Sequence, residues 1–156
     1  MTESDRYADW VPGALLVLPR LYLGLVFAVA AWAKLSAPQG FPLVLSGFLS
    51  NVALSNGFGW YRPLVASVIL PHVEVFAVLV LAAELFVAIG MLLGLLTRVA
   101  AVVAIVLLLN YACAKGLPLW SPASNDAADI VLAIVVLIGS AGRSVGLDAR
   151  LARRGR

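Results

Sequence analysis

The stretch AELFVAIGMLLGLLTR, residues 83–98, decides the fold of this 156-residue chain. It forms the second half of a long apolar run, and Glu84 has no charged neighbour for nine residues on either side. The run lacks the strand alternation that a closed barrel needs, so a helix is the way to satisfy its backbone in lipid. Gly90 and Gly94 form a small-xxx-small pattern, which lets another backbone approach closely. The stretch therefore predicts a membrane helix that packs tightly and carries a carboxylate.

The composition of the whole chain also indicates that it lies in a lipid membrane. Hydrophobic residues make up 63% of the sequence and charged residues 12%, and the mean hydropathy is +1.03. These values lie far outside the usual range for a soluble domain. We therefore predict an integral membrane protein that forms a single domain over residues 1–156.

The apolar pattern predicts an all-α fold, a four-transmembrane-helix bundle. A bilayer core about 30 Å thick needs roughly 20 apolar residues per helix, and the spans are placed at residues 14–35, 71–96, 99–117 and 124–142. The connection LTRVA, residues 96–100, is so short that spans two and three form a tight antiparallel hairpin. A long outer loop, residues 36–70, is too apolar to be solvated and too interrupted by proline and glycine to be a fifth span. We expect it to lie in or fold back into the outer interface.

The distribution of positive charge predicts the orientation. An even number of spans puts both termini on one side, where eight arginines fall, whereas the other side holds Lys34, Arg62 and Lys115. The positive-inside rule places both termini in the cytoplasm, for a chain in a bacterial-type inner (plasma) membrane. The first ten residues have no positively charged leader, so no removed signal peptide is expected. The arginine-rich end LDARLARRGR is interpreted as an anchor to membrane lipid headgroups, and no nucleic-acid partner is expected.

Polar residues inside the spans are the candidates for function, because ionisable groups at membrane depth are costly and mark a site or a pairing. In the first span one helical stripe is spaced at 4, 3, 4 and 3 residues: Arg20, Gly24, Phe27, Ala31 and Lys34. Glu84 lies near mid-depth in the second span. Because an ion pair is a costly way to hold helices together, a functional and a structural role for Lys34 and Glu84 are both open.

All four predicted helices bring polar groups to the outer half of the bilayer. We expect one pocket there, lined by Lys34, His72, Glu74, Glu84, Asn110, Lys115 and Asp129. Simpler roles are open for some polar residues of this region. Asp126 can complement a helix N-terminus after a cap at Ser124 or Asn125, Lys115 can snorkel to the interface, and His72 after Pro71 can be an interfacial or capping residue.

The sequence also excludes several cofactors. One histidine is too few for the two axial ligands of a haem between helices, and one cysteine is too few for a disulfide relay. No metal site is expected, because no ligand spacing for zinc appears. A redox role must therefore use a diffusible carrier such as a quinone, or a partner chain.

Four segments together resemble the DoxX/DoxD family. They are RLYLGLVFAVAAWAKL (20–35), ELFVAIGMLLGLLTRVAA (84–101), NYACAKG (110–116) and SAGRSVGLDARL (140–151). The family includes the small membrane subunit of thiosulfate:quinone oxidoreductase, also described as a terminal quinol oxidase subunit. The resemblance implies a compact four-helix membrane protein with cytoplasmic termini. The family's pattern falls on Arg20, Gly24, Phe27, Ala31 (where the family usually has glycine), Lys34, Glu84, Asn110 and Tyr111.

The expected function is that of a small membrane subunit of a quinone-linked oxidoreductase or respiratory assembly, together with other membrane or soluble redox subunits. Glu84 would carry protons and Lys34 would be its electrostatic partner, which makes them the catalytic candidates. The quinone-binding candidates are Asn110, Tyr111, Asp129 and His72. The alternative is a non-catalytic accessory subunit that stabilises a larger complex, in which Lys34 and Glu84 only satisfy each other. A weaker third hypothesis is a small ion transporter.

Overall fold

A computed structural model describes residues 15–139 of the chain. The described residues form five helices and no strand, which confirms the all-α prediction. In chain order the helices are α1 (Val17–Leu35), α2 (Phe41–Asn56), α3 (Tyr61–Leu93), α4 (Thr97–Lys115) and α5 (Asp126–Gly139).

Three of these helices, α1, α3 and α4, are long and apolar enough to cross a membrane. Helices α1 and α4 begin and end within about three residues of the predicted first and third spans. Helix α5 has 14 residues up to the end of the described chain. The remaining residues of the predicted fourth span, 140–142, and the predicted first residue of span one, Ala14, lie outside the described residues, as do the arginines near both termini. The four-span count therefore stays a prediction.

The second span, predicted at 71–96, corresponds to the Val73–Leu93 part of α3 and agrees with it to within three residues at each end. Helix α3 itself begins ten residues earlier than the predicted span, and it ends at Leu93 because Gly94 adopts a left-handed conformation with φ of 66°. Its 33 residues would be about 50 Å long as a straight helix, more than the ~30 Å of a bilayer core.

The predicted long outer loop is helical in the structure. Of residues 36–70, α2 takes up 41–56 and the start of α3 takes up 61–70. The prolines of this segment do not prevent helix formation, because Pro42 and Pro63 lie in the first turns of α2 and α3. A proline there costs no hydrogen bond, because the first N–H groups of a helix have no partner in it.

Helix α3 bends at Pro71. Residues Leu70–His72 have 3₁₀ geometry, and His72 has φ −118° and ψ 32°, outside the helical region. The side-chain contacts require a bend. Tyr61 and Glu84 bond to adjacent residues of α4, yet they would be about 35 Å apart along a straight helix, farther than two side chains can reach.

The apolar interior consists of two separate clusters. The first, which we call the bundle core, joins α1, α3, α4 and α5 through Leu23, Phe27, Val87, Ala88, Met91, Ala100, Ala101, Ala104, Leu107, Leu108, Ile130, Ala133 and Val136. The second, which we call the cover core, joins α2 and the start of α3 to the end of α4 through Leu49, Ala53, Tyr61, Val65, Ile69 and Ala114. The residues of the cover, 41–70, thus pack on the bundle as a distinct layer.

Small residues bring the helices together at both ends of α4. A Cβ on Gly90 would lie 3.0 Å from the Cβ of Ala100 and from the Leu95 oxygen, so the predicted close approach in the α3–α4 hairpin is confirmed. At the other end, Gly116 has φ of 66° and lies against the backbone oxygen of Asn56 at the end of α2. The cover is therefore held against the end of α4.

Candidate functional site

The predicted pair of Lys34 and Glu84 forms a buried ion pair. Glu84 lies in the middle of α3 with none of its surface exposed. Lys34, in the last turn of α1, places its Nζ atom 2.6 Å from Oε1 and 2.7 Å from Oε2 of Glu84. The contact confirms that the polar stripe of α1 faces the bundle, as does the burial of its other members: Arg20, Gly24, Phe27 and Ala31.

Tyr111 of α4 completes this cluster. Its hydroxyl donates a hydrogen bond of 2.6 Å to Oε1 of Glu84. The Lys34 ammonium also lies 5.5 Å from the ring centre of Phe41 and 5.8 Å from that of Tyr111, at the distance of cation–π attraction. Side chains from α1, α2, α3 and α4 thus surround one charge pair, which we call the Glu84 cluster.

A second hydrogen bond joins the cover to α4 beside this cluster. Tyr61, 4% exposed, donates from its hydroxyl to Oδ1 of Asn110 over 2.7 Å. Tyr61 is not among the site residues predicted from the sequence. Its partner is 49 residues away in sequence, so no local pattern could have revealed the pairing.

These polar groups border a cavity of about 370 Å³ between the cover and the bundle. Its polar side chains are Lys34, Tyr61, Asn110 and Tyr111. The rest of its lining is apolar and comes from α2, α3 and α4: Phe41, Val44, Leu45, Phe48, Leu49, Ile69, Phe76, Val80 and Ala114. Glu84 does not line the cavity, but its two partners, Lys34 and Tyr111, do.

The charge balance of the cavity favours a neutral ligand. Lys34 is the charged residue among those that line it, and Glu84 neutralises that charge at 2.6 Å. Two of the three N–H donors of Lys34 point to Glu84, which leaves a third. The cavity can therefore accept an apolar molecule with carbonyl or hydroxyl oxygens at one end.

Lys115 and Asp126 form a second polar cluster, between α4 and α5. The Lys115 Nζ atom lies 3.0 and 2.9 Å from the two carboxylate oxygens of Asp126 and 3.3 Å from Oγ of Ser124. The Ser124 hydroxyl also accepts the backbone N–H of Asp126 over 3.3 Å. Lys115 is therefore ion-paired. Asp126 begins α5 two residues after Ser124, which agrees with its predicted role of complementing the helix N-terminus.

The cavity described above does not bring together the seven polar residues expected to line one pocket, because only Lys34 and Asn110 of the seven line it. Asp129 is buried on α5 beside Tyr22 of α1, and His72 and Glu74 are exposed. Neither His72 nor Asp129 lines the cavity. The bend at Pro71 explains why the His72 side chain is exposed and does not reach the cavity, because the helix changes direction at this residue. Among the described residues, no group of three or more His, Cys, Asp or Glu side chains is placed to hold a metal ion.

Comparison with known proteins adds one finding. A family model described as DoxX matches residues 15–115, which is well over half of the chain. The chain belongs to the DoxX family. The DoxX match contains α1 to α4, with the whole Glu84 cluster and the cavity, whereas α5 and the stretch SAGRSVGLDARL lie beyond it. The search of curated proteins and the search of solved structures give no match.

Proposed function

We propose that this DoxX-family membrane protein is a small subunit of a quinone-linked oxidoreductase or respiratory assembly, and that its cavity binds a quinone headgroup. The observation that carries the proposal is the lining of the cavity, in which four polar side chains, two of them bonded to Glu84, accompany nine apolar residues. The proposal places the chain in a bacterial-type inner membrane with both termini in the cytoplasm, as its positive charges predict.

The residues present fit a quinone. A quinone is a neutral ring with carbonyl oxygens, and its tail is apolar. The third N–H of Lys34 and the amide N–H groups of Asn110 can donate to carbonyl oxygens, while Phe41 and Phe76 provide apolar surface for the ring. An inorganic anion fits less well, because Glu84 already neutralises the charge of Lys34. Asp129 and His72 have no role in this site.

The Glu84 cluster supplies proton transfer in the proposal. A bound quinone takes up two electrons and two protons, and the electrons come from a redox partner subunit. Lys34 Nζ and the Tyr111 hydroxyl bond to Glu84 and line the cavity, so either group can pass a proton to a reduced quinone and regain one from Glu84. Glu84 takes up each of these protons from water beforehand, and Lys34 and Tyr111 end in their starting state.

The test compares Glu84→Gln with Glu74→Gln in lipid nanodiscs that hold the full chain. Glu74 is an exposed glutamate near the start of the Val73–Leu93 segment of α3, so it controls for the loss of a carboxylate. We expect Glu84→Gln to lower quinol-coupled electron transfer in membranes at least tenfold, and Glu74→Gln to leave it unchanged. Unchanged transfer and unchanged binding of a short-chain quinone in Glu84→Gln would remove Glu84 from the mechanism.

A non-catalytic accessory subunit is the second candidate function. The supporting observation is that Lys34 and Tyr111 give the Glu84 carboxylate three hydrogen bonds without any ligand. Large exposed side chains such as Trp32 and Trp120 would then contact larger subunits or lipid. A map of the native complex with this chain wedged between larger subunits and an empty cavity would support this function.

A further inference from the structure

Two buried carboxyl groups on α5 have different surroundings. Asp126 and Asp129 are 7% and 6% exposed and lie one helical turn apart. Asp126 receives hydrogen bonds from Lys115 on both of its oxygens. Asp129 lies beside Tyr22 of α1, and its buried Oδ1 atom has no hydrogen-bond partner among residues 15–139. The two carboxyl groups are therefore matched in burial and differ in their partners.

The charges that face Asp129 do not balance a carboxylate. Helix α1 contributes the neutral hydroxyl of Tyr22, α4 contributes Lys115, and α5 contributes Asp126. Lys115 is bonded to Asp126 at 2.9 Å, so its charge is already matched. A second negative charge one turn from Asp126 would be buried, unpaired and repelled, and burial of that kind costs several kcal/mol. The neutral acid avoids this cost.

We propose that Asp129 is a proton-binding site of the bundle, separate from the Glu84 cluster, and that it holds a proton at neutral pH. The proton adds to one oxygen of the carboxylate and converts it to the carboxylic acid, without any transfer of electrons. Asp126 and Glu84 differ from it in that each has a lysine partner. The site lies where α5 meets α1, next to Tyr22, a residue 46% exposed on the surface of the bundle. This inference does not rest on the proposed quinone function.

Infrared spectroscopy of the full chain in lipid nanodiscs tests the site directly, because the carbonyl band of a carboxylic acid is separate from the carboxylate bands. We expect this band at neutral pH in the wild type and in Glu84→Gln, and its loss in Asp129→Asn. It should shift in heavy water and disappear at alkaline pH. Absence of the band at neutral pH, its loss in Glu84→Gln instead, or a dependence on sodium at constant pH would overturn the proposal.

Thermal unfolding of the same variants gives a second readout. Asparagine has nearly the shape of a neutral aspartic acid and, like it, has one donor group and one acceptor group. We expect Asp129→Asn to keep the wild-type Tm and Asp126→Asn to lower it, because only the second change leaves a lysine without its partner. A Tm that falls as much in Asp129→Asn as in Asp126→Asn would overturn the proposal, since it would mean that Asp129 acts as a charge.

Discussion

Lys34 and Glu84 are 50 residues apart in the chain, and the ammonium nitrogen of Lys34 contacts both carboxylate oxygens of Glu84. The pair joins the end of α1 to the middle of α3. Because Glu84 is completely buried, its carboxylate depends on Lys34 for its compensating charge. Replacing one member of the pair should therefore lower the free energy of unfolding more than replacing both.

We expect Lys34→Met to destabilise the bundle by about 3–5 kcal/mol, because it leaves a buried carboxylate without its cation. Adding Glu84→Leu to Lys34→Met should recover most of that loss, because the uncompensated charge is then gone. Unfolding in detergent, analysed as a double-mutant cycle, measures the coupling. Lys115→Met is the control, since Lys115 is 34% exposed and its loss should cost less. Additive effects of the two substitutions would contradict the prediction.

Tyr111→Phe should destabilise more than Tyr61→Phe. The Tyr111 hydroxyl donates to a buried carboxylate and the Tyr61 hydroxyl to a neutral amide. Hydrogen bonds to charged groups contribute about 1.5–3 kcal/mol, and neutral ones about 1 kcal/mol. Chemical unfolding of both variants under the same conditions measures the difference. Equal losses would indicate that Glu84 does not need the Tyr111 hydroxyl.

Val80→Phe should block the cavity without touching its polar groups. Val80 lines the cavity, whereas Val78, two residues earlier on α3, is 66% exposed. A larger ring at residue 80 occupies the volume that a ligand needs, so we expect the affinity for a short-chain quinone to fall at least tenfold. Val78→Phe should bind like the wild type. The affinities can be measured by titration in nanodiscs, and equal binding by both variants would place the ligand outside this cavity.

Gly116→Ala should destabilise the chain more than Gly40→Ala. Both glycines have positive φ, of 66° and 81°, so each alanine costs about 1–2 kcal/mol in backbone strain. Only at Gly116 would the new Cβ also collide with the backbone, at the Asn56 oxygen. Thermal unfolding should show the larger loss for Gly116→Ala. Equal losses in the two variants would mean that the end of α2 moves away from α4 at little cost.

The bundle could be predicted from the sequence because its signals are local. The apolar run around Glu84, the spacing from Arg20 to Lys34 and the short connection before Thr97 depend only on hydropathy and helical period. The same period placed Lys34 on the inner face of α1, and the cost of a charge in lipid suggested its pairing with Glu84.

The cavity could not be predicted, because its outer walls come from residues 41–70. Pro42 and Pro63 were interpreted as helix breakers, although a proline is equally compatible with a first helical turn. If that segment is predicted as a loop, no helix places Tyr61 next to α4, and its hydrogen bond to Asn110 cannot be predicted. Asp129 was placed near Asn110 by depth alone, and depth does not show on which side of α5 the carboxyl group lies.

The separation of the cover core from the bundle core has a consequence for how this protein can change. Seven of the thirteen residues that line the cavity belong to α2 and the start of α3, whereas the bundle core uses other side chains. Substitutions at residues such as Val44 or Leu45 can therefore change the size and shape of the cavity while the packing of the bundle core is kept. In this sense the cover and the bundle can accept substitutions independently of each other.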